Sequence, residues 1–359
     1  MAIKVGGTTV IDDSRQLSNI TSVDATTVAA LGTAGVGGAS SINGLSDAFS
    51  DGTSIAFGPD ALAVDRNRNL DNSSTNNIAI GQNSLASSTS GNQNVCIGYN
   101  TGNAGTTLGT NVFIGAQSGR LSNGSANVCV GPYTGYSLSG YHESNTFIGM
   151  QAGFMSDSDA NTAVGRNAML LATSATANAA LGNNSLSELT TGLGNTAVGY
   201  EAADNITTGG NNTCIGYEAN ASSATVSNEF TLGNSSIGNL RCADQSISGL
   251  SDARDKTNVE NLDAGLDFVR SLRPVSFDWN TRDGAKVGIP DTGFIAQELS
   301  SAQENAGVSI PRLVTNATNA NGDEQFEAAY TRLIPSLVLA IKELSAKVET
   351  LEAQLQAQG

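Results

Sequence analysis

A phrase that ends in glycine recurs along most of the chain with a period near 17 residues. Ten copies end at glycines that are 17, 17, 16, 18, 16, 17, 17, 17 and 17 residues apart, and an outlying copy ends at Gly58. The ten glycines are Gly81, Gly98, Gly115, Gly131, Gly149, Gly165, Gly182, Gly199, Gly216 and Gly233. A fixed period of this length is typical of a solenoid, in which each repeat forms one coil that packs on its neighbours.

Each position of the phrase has its own character. The fourth residue before the glycine is asparagine in nine of the ten copies, Glu229 being the exception, and the residue directly before the glycine is always aliphatic. Apolar residues on both faces of a short strand indicate that both faces are covered. We therefore predict coils of two short strands joined by turns rich in glycine and asparagine. One strand face fills the coil interior, and a partner chain covers the other.

The repeated polar and sulfur-containing residues have structural and functional interpretations. Cys96, Cys129 and Cys214 share the register two residues before the glycine, which favours packing as small hydrophobes over a disulfide or a ligand role, whereas Cys242 lies outside it. The asparagines are predicted to bond turn backbone or to form ladders between coils, with sugar binding as the alternative. Coil packing is also favoured for the tyrosines near turns, with receptor binding as the alternative. They are Tyr99, Tyr133, Tyr136, Tyr141, Tyr200 and Tyr217.

The repeat phrase resembles the head repeats of trimeric autotransporter adhesins, although the coils are longer here. The resemblance spans residues 54–237 and rests on the Asn-x-x-Ile/Val-Gly register. It implies a trimeric, left-handed parallel β-roll.

Composition and charge change near residue 250. Residues 1–250 contain 7 Lys+Arg and 17 Asp+Glu (net −10), and residues 251–359 contain 10 and 16 (net −6). Neither part has a basic stripe, so a nucleic-acid partner is not expected. There is no signal-peptide pattern and no run of 18 apolar residues, so we expect synthesis in a cytoplasm without membrane insertion. With His142 as the only histidine, we predict no metal and no cofactor.

The last third of the chain has a different pattern. Leucine and valine at helical spacing precede Pro274, and alternating apolar residues follow it as a predicted strand. The helical positions are Leu262, Leu266, Val269 and Leu272, and the strand positions are Val275, Phe277 and Trp279. Gly293–Leu299 is predicted to run from a strand into a helix.

A heptad pattern over residues 334–357 predicts a terminal coiled coil. One apolar position is occupied by Ile334, Ile341, Val348 and Leu355, and the other by Leu337, Leu344 and Leu351. This order of β-branched residues and leucine favours two strands, in conflict with a threefold rod.

The pentapeptide Gly-Leu-Ser-Asp-Ala occurs twice with different continuations. In "SISGLSDARDK", Ser251 is followed five residues later by Lys256, whereas in "SINGLSDAFSD" Ser46 is followed by Asp51. A serine activated by a lysine is a known alternative to the Ser-His-Asp triad. Because a free lysine has a pKa near ~10.4 and is almost wholly protonated at neutral pH, such a base needs burial to lower its pKa.

The motifs "SDARDK", "LRPVSFDW" and "GFIAQE", followed by the coiled coil, together resemble the intramolecular chaperone auto-processing domain of phage tail spikes and fibres, first associated with endosialidases. The resemblance implies a domain that assembles three chains, promotes folding of the β-rod and then cuts itself off. It also implies Ser251 as nucleophile and Lys256 as general base, with Asp252 and Arg254 as motif positions for positioning and charge. The family precedent is cleavage of Ser251–Asp252, whereas attack by Ser251 on its preceding carbonyl would break Leu250–Ser251. Both bonds are therefore candidates for the cleavage site.

The predicted organisation is an attachment or linker region (1–53), a β-solenoid rod (54–240), a linker (241–250) and an α+β chaperone domain (251–359) that ends in the coiled coil. The predicted protein is a homotrimeric tail fibre or spike of a virion, made in the host cytoplasm. Its partners are other tail or baseplate proteins and a host surface glycan or protein receptor.

Three alternatives compete with this prediction. A fibre that is never cleaved is the first. A glycan-degrading spike would need paired carboxylates, and the acidic residues of the rod form no obvious pair in the sequence. They are Asp157, Asp159, Glu188, Glu201 and Glu218. A bacterial surface adhesin is disfavoured because no signal peptide or outer-membrane anchor is recognised.

Overall fold

The structure is a computed structural model. It describes residues 3–5, 8–11, 48–50, 53–63, 75–243, 247–282, 284, 286–318 and 324–358. The chain divides into two compact units, Met1–Ala160 and Asn161–Gly359. Most of the predicted attachment region, including Ser46 and Asp51, lies outside the described residues.

The first unit consists of short strands. Two pairs are antiparallel, β1 with β2 and β3 with β4, and from β4 to β9 each strand pairs in parallel with the next. The strands are β1 (Ile3–Val5), β2 (Thr8–Ile11), β3 (Ala48–Ser50), β4 (Ile55–Phe57), β5 (Ile78–Ile80), β6 (Val95–Ile97), β7 (Val112–Ile114), β8 (Val128–Val130) and β9 (Thr146–Ile148).

The second unit begins with the same arrangement. Its five parallel strands pair consecutively, and they are β10 (Thr162–Val164), β11 (Ala179–Leu181), β12 (Thr196–Val198), β13 (Thr213–Ile215) and β14 (Phe230–Leu232).

A small α+β region completes the second unit. The antiparallel pairs β15–β16 and β17–β18 alternate with helices around a core that includes Phe268, Leu299 and Leu313. The elements are α1 (Leu266–Ser271), β15 (Val275–Asn280), β16 (Val287–Gly293), α2 (Ala296–Ala306), β17 (Val314–Thr318), β18 (Glu324–Ala328) and α3 (Ile334–Gln358). The fold is therefore mainly β, a β-solenoid followed by an α+β region that ends in a helix, as predicted. The left-handedness of the solenoid and its assembly into a trimer remain predictions.

The three residues of each coil strand divide between an inner and an outer face. The central side chain points inward, so that Phe113 on β7 and Cys129 on β8 are paired neighbours with no exposed surface. The flanking side chains point outward, and Ile114 keeps 36% of its surface exposed. The residues directly before the repeat glycines therefore form an apolar stripe on the outer face of each unit.

The prediction of two strands per coil is wrong for the described coils, because each contains one strand and a long turn. On the turn side, backbone groups still bond from coil to coil, as from Leu85 N to Thr101 O at 3.0 Å. Isolated bridges at Asn92, Gly109 and Ser125 stand where a second strand was expected. Glycine, asparagine and serine, which are depleted in strands or favour turns, are frequent on this side of the coils.

The repeated asparagines form a buried ladder. In the first unit, Asn94 Oδ1 accepts hydrogen bonds from the backbone N–H and the side-chain amide of Asn111, both at 3.0 Å. Asn111 Oδ1 in turn accepts hydrogen bonds from the backbone N–H and the side-chain amide of Asn127. Because these side chains are buried, the ladder prediction is confirmed and the asparagines offer no surface to a sugar.

The first helix of the α+β region is shorter than predicted. It begins at Leu266, and Leu262 lies outside it and is partly exposed. Gly265 caps the helix, and Glu343 on α3 accepts a hydrogen bond from the Leu266 N–H at 2.6 Å. A side-chain Cβ at Gly265 would lie 2.3 Å from that carboxylate, so the long-range contact fixes where the helix starts. The predicted strand at Val275 and the strand-to-helix passage after Gly293 are confirmed.

The repeat glycines allow successive coils to approach closely. Gly98 has a φ of +141°, and a Cβ there would lie 2.6 Å from the carbonyl oxygen of Gly115 in the next coil. This backbone region is essentially restricted to glycine.

We predict that Gly98→Ala destabilises the folded chain by at least about 1–3 kcal/mol, since strained backbone alone costs that much. The measurement is the denaturation midpoint of the full chain. Gly109→Ala is the matched control, because a Cβ there meets only Ser125 Cβ at 3.6 Å. Equal midpoints for the two variants would contradict the close-approach argument.

Candidate active site

A single turn contains all four residues of the predicted site. Asp252 caps a 3-10 helix at Ala253–Asp255, and the Lys256 N–H closes the turn on the Ala253 carbonyl at 3.2 Å. The Asp252 side chain accepts from the Arg254 N–H at 2.9 Å, as an aspartate cap does at a helix start. One tight turn thereby brings together two side chains that are five positions apart in the chain.

Those two side chains are Ser251 and Lys256. Lys256 Nζ donates to Ser251 Oγ at 2.8 Å and to the Ser251 carbonyl oxygen at 3.2 Å. The first distance is within the range for proton transfer between a nucleophile and its base. Both residues are exposed in the single chain.

Asp252 and Arg254 form a two-pronged ion pair beside the Ser–Lys contact. Arg254 Nη2 lies 2.6 Å from Asp252 Oδ2, and Arg254 Nε lies 3.1 Å from each carboxylate oxygen. Hydrogen bonds from the Arg254 side chain and backbone lower the pKa of Asp252. The Asp252 carboxylate is therefore charged at neutral pH and is held by Arg254.

Two of the sequence motifs contact each other through an ion pair. Arg273, from "LRPVSFDW", donates through Nε to Glu298 Oε2 at 2.9 Å, and its Nη2 also contacts Glu298, from "GFIAQE". The hydrogen bond from Arg273 lowers the pKa of Glu298. Opposite charges in the two motifs were the available sequence signal for this pair, which the sequence analysis missed.

Tyr330, in the 3-10 segment directly before α3, binds the second motif. Its hydroxyl accepts from the Phe294 N–H at 3.1 Å and donates to the Phe294 carbonyl at 3.0 Å. A Cβ at Gly293 would lie 2.8 Å from this hydroxyl. Tyr330 therefore ties the start of the "FIAQE" segment to the residues before α3, and nothing in the local sequence signals that contact.

The cysteines follow the predicted register. Cys96, Cys129 and Cys214 are free and buried, and Cys242 is exposed. Burial raises the pKa of all three buried thiols, so they are poor nucleophiles. The packing interpretation is confirmed for these three cysteines.

The tyrosines near turns lie mainly on the surface. Tyr200 and Tyr217 stack at 5.4 Å between ring centroids, and Tyr136 stacks on Phe154 at 5.1 Å. Tyr141 keeps 76% of its surface exposed. Stacking within the coils supports the packing interpretation for the first three, while Tyr141 is available to a partner.

Two of the acidic residues considered for a glycan-degrading site, Asp157 and Asp159, contact His142. Asp157 Oδ1 lies 3.1 Å from His142 Nε2, and Asp159 Oδ1 lies 3.2 Å from His142 Nδ1. Asp159 also accepts from the Glu143 N–H at 2.8 Å. These contacts join the loop that contains His142 to the acidic residues of the next coil.

The other predicted carboxylates lie close to a residue that the sequence analysis missed, Asp204. Burial raises the pKa of Asp204, a hydrogen bond from Asn220 lowers it, and repulsion from Glu201, Glu188 and Glu218 raises it further. Glu201 and Glu218 share a coil register because they are 17 residues apart, whereas Asp204 and Glu188 occupy other positions of their coils.

Within the described residues, no group of three or more histidine, cysteine or acidic side chains is placed to hold a metal ion. The same part of the chain contains no helix with the length and apolar character needed to cross a membrane.

Comparison with known proteins identifies the C-terminal motif region. Residues 251–308 match the family model described as chaperone of endosialidase, and the match begins at Ser251. No curated protein matches the chain significantly. The match confirms the resemblance drawn from the sequence for the C-terminal region, which is similar to the chaperone of endosialidase family and follows a β-solenoid.

We predict that a maleimide at pH 7 labels only Cys242 in the native chain, because the other three thiols are buried and inaccessible to the reagent. After unfolding, all four thiols should be labelled. Mass spectrometry counts the labels. Cys242→Ser should reduce the native count to zero. More than one label on the native wild type would contradict the packing interpretation.

Proposed function

We propose that the chain is a structural subunit of a phage tail fibre or spike that recognises a host surface. Its C-terminal region, in this proposal, drives assembly of three chains and then releases itself by cleavage beside Ser251. The observation that carries the proposal is the 2.8 Å contact between Lys256 Nζ and Ser251 Oγ, at the first residue of the family match.

The proposed chemistry uses the two side chains in sequence. A neutral Lys256 amine removes the proton from Ser251 Oγ as Oγ adds to a neighbouring peptide carbonyl. The resulting ammonium returns the proton to the leaving amine, and water hydrolyses the ester that remains. Lys256 is exposed in the single chain, and we propose that contact with the other copies removes water from it, since desolvation favours a neutral amine.

Helix α3 supports assembly through its apolar seam. The predicted heptad positions are exposed in the single chain, with Ile341 67% and Leu351 64% exposed. A seam of this kind on a 25-residue helix is stabilised by packing against other copies. Lys347 and Glu352 occupy the g and e positions, where opposite charges favour parallel chains.

The outer face of the solenoid gives a second reason for assembly. Its aliphatic stripe includes Ile80 and Ile148 in the first unit and Leu181 and Leu232 in the second, all more than a third exposed. A continuous apolar stripe is typical of an interface rather than of a free surface. Other copies of the chain would cover it.

Cleavage is tested by intact mass of the freshly expressed chain. Wild type should give two fragments, near residues 1–251 and 252–359, while Ser251→Ala and Lys256→Ala each give one chain, with a rate loss of about 10³-fold or more. The fragment masses also show which bond breaks. Ser46→Ala is the matched control and should cut normally, since Asp51 cannot activate a hydroxyl in this way. A wild type that stays whole would contradict the proposed self-release.

The link between assembly and cleavage is tested on α3. Leu344→Asp places a charge in the seam and should give monomers that cleave at least about tenfold more slowly, because the lysine stays hydrated. Native mass spectrometry and the cleavage time course are the measurements. Ala346→Asp, on the opposite side of the helix, is the control and should remain a trimer. A monomer that cleaves at the normal rate would rule out the coupling.

A further inference from the structure

The turn that holds Ser251 and Lys256 also holds two carboxylates, and both oppose a neutral lysine. Asp252 and Asp255 lie between the proposed nucleophile and its base. An opposite charge within about 4–6 Å of a lysine favours its ammonium form and shifts its pKa by about 1–3 units. A lysine paired with a carboxylate would therefore be a poor base at neutral pH.

Lys256 avoids this pairing. Its Nζ bonds to the oxygens of Ser251, and neither acidic residue of the turn forms an ion pair with it. Asp252, Arg254 and Asp255 are the charged residues of the same turn, and among the described residues no ion pair joins Lys256 to a charged side chain of another element.

Arg254 accounts for the position of the Asp252 carboxylate. Its guanidinium contacts both carboxylate oxygens, and its backbone N–H donates to Oδ1 at 2.9 Å. The cap that Asp252 provides to the 3-10 turn requires a side-chain acceptor there. Asp252 is therefore required for the shape of the turn, but its carboxylate charge has to point away from Lys256 if the lysine is to act as a base.

We propose that Arg254 is a positioning residue for self-cleavage: it holds the Asp252 carboxylate so that Lys256 contacts Ser251 instead of pairing with that carboxylate. The inference rests on the proposed Ser–Lys cleavage and extends it to a residue that touches neither reacting atom. Without Arg254, the Asp252 carboxylate loses its side-chain partner, and Lys256 is the remaining basic residue of the turn. Fewer lysines are then neutral at a given pH.

A positioning role predicts a change that a purely structural role would not produce. If Arg254 only stabilised the turn, its loss would lower the cleavage rate by the same factor at every pH. If Arg254 keeps Asp252 from Lys256, its loss moves the alkaline rise of the cleavage rate to higher pH. The shift is expected to be about one pH unit, corresponding to about tenfold at neutral pH.

The test measures self-cleavage of full-length chains made by cell-free synthesis, between pH 6 and 10. Arg254→Gln should show the shifted profile, and Arg254→Lys should recover most of the wild-type rate. Adding Asp252→Asn to Arg254→Gln removes the competing charge but keeps an asparagine cap, so the profile should return to that of wild type. Native mass of each variant in a Ser251→Ala background checks that assembly is unchanged.

Two results would overturn the inference. One is a uniform rate loss in Arg254→Gln with no shift of the profile, and the other is a double variant that cleaves no better than Arg254→Gln. These outcomes are separate from failure of the proposed function. If wild type stays whole, or Lys256→Ala still cleaves, then the Ser–Lys proposal itself fails.

Discussion

The register between coils is set by the buried asparagine ladder. Within each unit, successive asparagines bond to one another: Asn94 accepts two hydrogen bonds from Asn111, and Asn111 donates to the Gly124 carbonyl at 2.9 Å. A buried amide without partners costs about 1–3 kcal/mol, so a slip of one residue would be penalised at every coil. Because side chains alternate along a strand, this register also decides which residues fill the interior and which face outward.

A fixed register has a consequence for the outer surface. Cysteine, alanine and phenylalanine fill the coil, while the aliphatic residue before each glycine must face outward. On α3 as well, the heptad residues keep between 43% and 72% of their surface exposed. Both surfaces repeat at a fixed interval, and both are suited to additional copies of the same sequence. The assembly proposed here follows from two independent apolar surfaces rather than from one motif.

Much of this fold could be predicted from the sequence, because its information is local and repeated. The burial of Cys96 and the inward position of Phe113 follow from a period that ten copies reinforce. The errors fall where a distant contact decides the local structure. Glu343, 77 positions away in the sequence, fixes the start of α1. The apolar spacing near Leu262 contains no sign of this contact.

The candidate site likewise has one contact that the sequence predicts and one that it does not. The pairing of Ser251 with Lys256 follows from a five-residue spacing, which one 3-10 turn closes. The role of the intervening charges could not be predicted from the spacing, since the sequence is equally compatible with an ion pair between Asp252 and Lys256. Only the geometry of the turn shows that Arg254 takes the carboxylate.

An exposed dyad also suits a reaction that must happen once and late. A lysine already buried in the single chain would activate its serine before the chains had assembled, and the rod could lose its chaperone too early. The arrangement in this turn keeps the reacting atoms in contact but leaves the lysine hydrated. In the proposed sequence of events, geometry is supplied by the single chain and desolvation by assembly. Cleavage then reports that assembly is complete.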